Sequence, residues 1–239
     1  MNENKPKILI YDIESGGVNA LKPDLGFVLC FGYKWLGEKE THCLTLDQFE
    51  GFKKGSYNDK ELLKVASKIM NQADLLVAHF GDYFDRKFIN GRLAINGLSP
   101  ISNVKQVDTC KLAWKAFNFS SNRLKQLAKT LGCKNRKSDS EFPNWWLSVL
   151  AGNMEPLKKM AIYCKQDVRT LEEVYLKLRP FYDKHPVMTD VRDNCPTCDS
   201  SKIQSRGQYR TVTRTYQRLY CKSCGHWFKS SKFITHKEK

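Results

Sequence analysis

The chain has 239 residues, 41% hydrophobic and 27% charged, enough for one sizeable core with a small module beside it and too apolar for a disordered chain. Its 40 Lys and Arg against 25 Asp and Glu leave a net charge of +15, which favours a polyanionic partner, nucleic acid first. No stretch reaches the length of a membrane span, and Met1-Asn2-Glu3-Asn4-Lys5-Pro6-Lys7 carries no apolar signal region, so a cytoplasmic location without membrane contact is expected.

In chain order, the apolar run Ile8-Leu9-Ile10 continues into Tyr11-Asp12-Ile13-Glu14. Alternate side chains of a strand share a face, so Asp12 and Glu14 stand side by side. Neighbouring carboxylates favour protonation unless a cation lies between them. By themselves the two acids fit either a metal clamp or a solvated strand end leading into Ser15-Gly16-Gly17. Strand formers at 27–35 and 41–46, with the turn Gly37-Glu38-Lys39 between them, predict a hairpin. Residues 58–71 predict an amphipathic helix with Leu62, Leu63, Ala66, Ile69 and Met70 on its apolar face and Asn58 as N-cap. A buried strand at 74–79 precedes a helix over 83–95, with Asp85 near its start. A strand at 104–108 leads into a helix through Ala116, and a helix over 122–131 is closed by Gly132. Two more helices follow, over 141–151 with Trp145 and Trp146, and over 154–178. On the last, Tyr163 and Asp167 lie one turn apart on the same side. A meander followed by strands alternating with helices predicts an α/β fold, a mixed five-stranded sheet flanked by helices.

From residue 184 the large apolar residues thin out while Ser, Thr and Arg rise, which places a domain boundary between 1–183 and 184–239. Of nine cysteines, Cys30, Cys43, Cys110, Cys133 and Cys164 are scattered and read as buried thiols. The other four form two knuckles, Cys195-Pro196-Thr197-Cys198 and Cys221-Lys222-Ser223-Cys224. Two-residue spacing lets both thiolates of a knuckle reach one ion, so a closed structural Zn²⁺ site on a small β ribbon is expected, with strands at 203–210 and 213–220. Arg206, Arg210, Arg214 and Arg218 alternate there with Tyr209, Tyr216, Tyr220 and Trp227. That mixture suits phosphate contacts and base stacking, and docking of a protein is the other reading. Lys111, Lys115, Arg123 and Lys125 are either a phosphate path or a solvated helix face.

Asp12-Ile13-Glu14, Phe84-Asp85 and Tyr163 through Asp167, in this order and on these elements, resemble the three motifs of the DEDD-type 3′–5′ exonucleases. The match is to the tyrosine subclass, which includes the proofreading domains of DNA polymerases. The resemblance covers about residues 7–178 and implies a ribonuclease H-like fold and hydrolysis of phosphodiester bonds with two Mg²⁺ or Mn²⁺ ions. Carried over, Asp12 bridges both ions, Glu14 and Asp167 complete the tighter site, Asp85 holds the second ion partly through water, and the Tyr163 hydroxyl orients the attacking water. Ile13 and Ser15 would touch nucleic acid beside the ions, while Arg206, Arg210, Arg214, Arg218, Tyr216 and Trp227 would hold it on the ribbon. The implied substrate is a single-stranded or frayed 3′ end, DNA before RNA, with a replication or repair protein as a further partner. The family's second motif often carries Asn a few residues before Phe-Asp. Phe80 stands in that region here, which spares the metal ligands and changes how a terminal nucleotide is gripped. A catalytically silent nucleic-acid-binding protein on the same fold is a rival, opposed by the intact set of four acids. A transposase or integrase is another, opposed by the Tyr163-to-Asp167 motif.

Overall fold

The structure, a computed structural model, describes residues 6–50, 52–53, 56–135 and 145–235. Strands β1 (Ile8–Gly17), β2 (Gly26–Trp35) and β3 (His42–Thr45) form the expected meander. A short 3₁₀ turn, Leu46–Gln48, and a two-residue hairpin of β4 (Phe52–Lys53) and β5 (Ser56–Tyr57) lead into helix α1 (Lys60–Met70). Then come β6 (Leu75–Ala78), α2 (Asp85–Ile95), β7 (Lys105–Asp108), α3 (Thr109–Ala116), α4 (Leu124–Thr130), α5 (Trp145–Leu150) and α6 (Glu155–Leu178). No helix among the described residues is long and apolar enough to cross a membrane.

The five-stranded sheet runs β3-β2-β1-β6-β7. β1 is antiparallel to β2 and parallel to β6, and β6 is parallel to β7. This is the mixed sheet that the pattern of elements predicts. The parallel strand β6 is buried at every position, as a strand covered on both faces must be. Leu9, Tyr11 and Ile13 of β1 join Leu29, Phe31, Leu62, Leu63, Leu76 and Phe88 in one core.

Helix α1 starts later than Asn58 would place it. The Asn58 side-chain oxygen accepts the N–H of Lys60 at 3.0 Å, and Asp59 is the N-cap residue. Asp59 turns inward and is fully buried. It accepts two hydrogen bonds from Arg92 of α2, at 2.9 and 2.8 Å, one from Asn96 at 3.1 Å and one from the N–H of Val28 at 2.9 Å. A buried charge is tolerated only when paired and hydrogen-bonded, so this one carboxylate ties α1, α2 and β2 together. In α5, Trp145 packs against the core. Residues 141–144 of the helix expected over 141–151, and the side chain of Trp146, lie outside the described residues.

Residues 7–175 form one compact unit, and the chain from 176 onward belongs to a second. That division falls in the last turn of α6, shortly before the change of composition at 184. The second unit holds a three-stranded antiparallel sheet in the order β10-β9-β8, made of β8 (Ile203–Arg210), β9 (Arg214–Cys221) and β10 (Trp227–Thr235). The third strand is an addition to the two-stranded ribbon that the sequence suggests.

Candidate active site and cysteine cluster

Pleating places Asp12 and Glu14 on the same side of β1 while Tyr11 and Ile13 enter the core. Asp12 pairs across the sheet with Gly32 of β2. A Cβ on Gly32 would lie 2.5 Å from the Cys164 sulfur and 3.2 Å from Val168 Cγ2. The missing side chain therefore lets α6 settle directly on β2. The Cys164 thiol then sits 3.7 Å from the Asp12 carbonyl oxygen, and Asp167, three residues further along the helix, reaches the two acids of β1. Oxygens of Asp12, Glu14 and Asp167 all lie within 4.8 Å of one another. Three carboxylates at that separation repel strongly and form a set on which one hard divalent cation can draw. Tyr163 lies one turn before Asp167 on α6 and is half-buried.

Asp85 does not join that trio. It is 4% exposed and accepts the N–H of Ile13, at 3.2 Å, from behind the strand. Burial pushes its carboxyl up to about 7, opposed by hydrogen bonds from its own backbone and from Ile13, with Asp108 adding to the upward push. The neighbouring acids have other tasks. Asp108 caps α3 through the N–H groups of Cys110 and Lys111, and also accepts from Phe80 and Asp82. Asp82 pairs with Lys111 at 2.7 Å and accepts from Gln106 at 2.7 Å.

Two residues expected beside nucleic acid have partners within the chain. Ile13 packs its side chain in the core and gives its N–H to Asp85, so it offers no side chain to a nucleic acid. The Ser15 hydroxyl donates to the carbonyl of Ala20 at 2.6 Å and closes the loop after β1.

Beside the trio opens a cavity of about 690 Å³ lined by Asp12, Asp167, His79, Phe80, Trp114 and Asn122 among others, with Arg123 and Lys125 also on its wall. Arg123 and Lys125 thus share a cavity wall with Asp12 and Asp167, whereas Lys111 is held by Asp82. Trp114 and Asn122 carry no motif. The one trace in the sequence is an aromatic residue a turn after Cys110 between two lysines.

In the second unit, sulfurs of Cys195, Cys198, Cys221 and Cys224 lie within 4.8 Å of one another. Cys195 to Cys224 and Cys198 to Cys221 are each 3.7 Å apart. A disulfide would hold its sulfurs at about 2.05 Å, while Zn–S bonds of about 2.3 Å in a tetrahedron set the sulfurs about 3.8 Å apart. The thiols therefore fit a four-sulfur metal site. One face of the three-stranded sheet carries Arg214, Tyr216, Arg218 and Tyr220 at alternate positions of β9, with Trp227 opposite Tyr220 and Phe233 opposite Tyr216. Arg218 lies 5.3 Å over the Trp227 ring, Arg206 5.3 Å over Tyr220 and Arg214 4.3 Å over Phe233. Arg210 is exposed and bonded to Gln208.

The sequence matches the RNase_H superfamily over residues 9–179. The chain belongs to that superfamily. As an RNase H superfamily protein it holds two of its acids on the central strand β1 and a third on α6 beside it, an arrangement in keeping with the divalent-metal nucleases of this fold. Among solved structures it is similar to the family B DNA polymerase from the hyperthermophilic archaeon Pyrobaculum calidifontis, with a TM-score of 0.55 and 14% identity. The likeness covers 74% of this chain and 25% of the polymerase, so the chain spans about a quarter of that protein's length. No curated protein matches the sequence. Superfamily and fold together support a nuclease function in general.

Two expectations follow from the site. Gly32→Ala should displace α6 from β2 and cost about 1–3 kcal/mol, the usual range for overpacking, measured by urea denaturation; an unchanged midpoint would show that α6 does not depend on that gap. The raised Asp85 carboxyl means that folding takes up a proton between about pH 4 and 7, so stability should fall as the pH rises through 7. Thermal melts without added magnesium or manganese should show that fall in the native sequence and lose most of it in Asp85→Asn.

Proposed function

We propose that the protein is a divalent-metal-dependent 3′–5′ exonuclease that removes nucleotides from single-stranded nucleic acid, DNA before RNA. The observation that carries this reading is the convergence of Asp12, Glu14 and Asp167, which come from β1 and a helix more than a hundred residues later. Nothing in local folding requires three mutually repelling acids to meet, and a cation-dependent reaction does. Asp12, Glu14 and Asp167 would hold one Mg²⁺ or Mn²⁺. Asp85 would serve a second, through a carboxylate that must first lose the proton its burial favours. When bound, such ions supply a nucleophilic water and shield the phosphate charge. Tyr163 would orient the water by hydrogen bonding through its hydroxyl. Arg123 and Lys125 attract the phosphate backbone to a pocket that the acids alone would repel.

The 3′–5′ direction rests on the motif order Asp12-x-Glu14, Phe84-Asp85 and Tyr163 to Asp167. Likeness to a DNA polymerase suggests a replication or repair protein as partner. The four cysteines hold one structural Zn²⁺ in the segment 184–239, and the Arg and aromatic face of its sheet, including Arg206, Arg210, Arg214, Arg218, Tyr216 and Trp227, binds nucleic acid.

End-labelled single-stranded DNA and RNA incubated with Mg²⁺ or Mn²⁺ should be shortened one nucleotide at a time from the 3′ end. Asp12→Ala and Asp167→Ala should reduce this to background, and Tyr163→Phe should slow it about 10- to 100-fold, as loss of a supporting hydrogen bond does, while metal binding by calorimetry persists. Degradation that survives Asp12→Ala would sink the proposal. On the ribbon, Arg206→Ala and Arg218→Ala should each lower the slope of log affinity against log salt by about 1 if each arginine meets one phosphate. An unchanged slope would point to a protein partner instead.

A further inference from the structure

Phe80, Tyr83 and Trp114 form an aromatic group that the core does not absorb. They are 42%, 47% and 50% exposed. Phe80 stacks on Tyr83 at 4.9 Å, and Trp114 meets both rings at 6.2 Å, nearly edge-on to Phe80. Lys87 and Lys111 lie over the Tyr83 ring at 5.7 and 5.4 Å. Phe80 and Trp114 line the cavity that also holds Asp12 and Asp167.

Phe80 has φ +64°, a left-handed conformation that suits Gly or Asn and that a bulky residue rarely adopts. The turn enforces it. Asp108 accepts the N–H groups of Phe80 and Asp82 at 2.9 and 3.1 Å, and the Phe80 carbonyl accepts from Tyr83 and Phe84, both at 3.0 Å. A residue needed only to make this turn would be small. Strain held by surrounding hydrogen bonds points to a use for the side chain. On the same cavity, the side-chain oxygen of Asn122 is buried and has no hydrogen-bond partner among the described residues. A terminal amide carries both an acceptor and two donors, so by turning it can meet the edge of any base.

We propose that Phe80 and Trp114 are a stacking wall for the base of the nucleotide presented to the carboxylates, with Asn122 supplying its polar contact. Tyr83 backs the wall and is itself held by two lysines. A base can use such a wall only when its face is free, so the site selects an unpaired end, and stacking makes it tolerant of base identity. The inference rests on the nuclease reading of the trio.

Two substrates separate the two ideas: a single-stranded oligonucleotide ending in a normal nucleotide, and the same strand ending in an abasic one. The full chain with Mg²⁺ should favour the normal end in kcat/KM. Phe80→Asn suits the left-handed turn and so folds, and Trp114→Ala alters a half-exposed side chain. Each should lower the ratio of normal to abasic kcat/KM about 10-fold, in line with the loss of one stacked base. A 2-aminopurine placed at the cleaved end should be quenched on binding the native chain and less so by either variant. If the native chain cleaves but the ratio and the quenching are the same in both variants, the stacking wall is wrong and the nuclease stands. If the native chain cleaves neither strand, both readings fall.

Discussion

Asp12, Glu14 and Asp167 are held within 4.8 Å against their own repulsion, and much of the fold is the means of holding them. Two acids come free with the pleat of β1, provided that Tyr11 and Ile13 are anchored in the core between two neighbouring strands. The third requires a helix to approach the sheet more closely than side chains ordinarily allow. Gly32 removes the obstacle at the cross-strand partner of Asp12, and Cys164 and Val168 fill the space. Asp85 then closes the strand from behind by taking the Ile13 N–H. The Asp59–Arg92 pair plays a comparable part at a distance, locking α1 and α2 around the start of β2.

The charge distribution makes sense of the trio's surroundings. A chain of net charge +15 attracts nucleic acid over distances longer than any contact, yet the cavity wall itself presents carboxylates. A phosphate arriving there meets repulsion unless cations intervene. Arg123 and Lys125 on the same wall add positive charge beside the carboxylates, which lowers the barrier to a phosphate's approach. On the ribbon the problem is reversed. Arginines there lie over aromatic rings, and Arg206 and Arg218 also donate to Gln204 Oε1 and to the Arg206 carbonyl, respectively, which orders the guanidinium groups.

The sheet and the trio are legible in the sequence because both follow from short periodicities. Alternation sets the faces of β1, the helix period puts Tyr163 and Asp167 on one side of α6, and two-residue spacing brings each cysteine pair to a common point. What depends on backbone conformation or remote pairing is not legible. The left-handed turn at Phe80 leaves no trace in a residue type that normally avoids it. Asp59 looks like part of a helix start and turns out to be a buried counter-ion for Arg92, a residue no local rule connects to it. Ile13 and Ser15 sit beside the acids in sequence, but pleating sends one into the core, and the loop after β1 takes the hydroxyl of the other. Strand β10 is missed because Lys229, Ser230, Ser231 and Lys232 interrupt its apolar alternation, at the point where its pairing with β9 slips.

Six acids, Asp12, Glu14, Asp82, Asp85, Asp108 and Asp167, lie on β1, on α6 or around the ends of β6 and β7, and residue type cannot separate them. Hydrogen bonding can. Asp82 and Asp108 are committed to a lysine, a glutamine and four backbone N–H groups, so a cation would have to strip away partners that define the turn at Phe80 and the start of α3. Asp85 has the opposite problem: too little solvent and too few donors to stay ionised with ease, hence its raised pKa. Asp12 and Asp167 face the cavity, where a cation can reach them without unmaking the turn. The same turn that occupies Asp108 thus sets the Phe80 ring on the cavity wall beside Asp12 and Asp167.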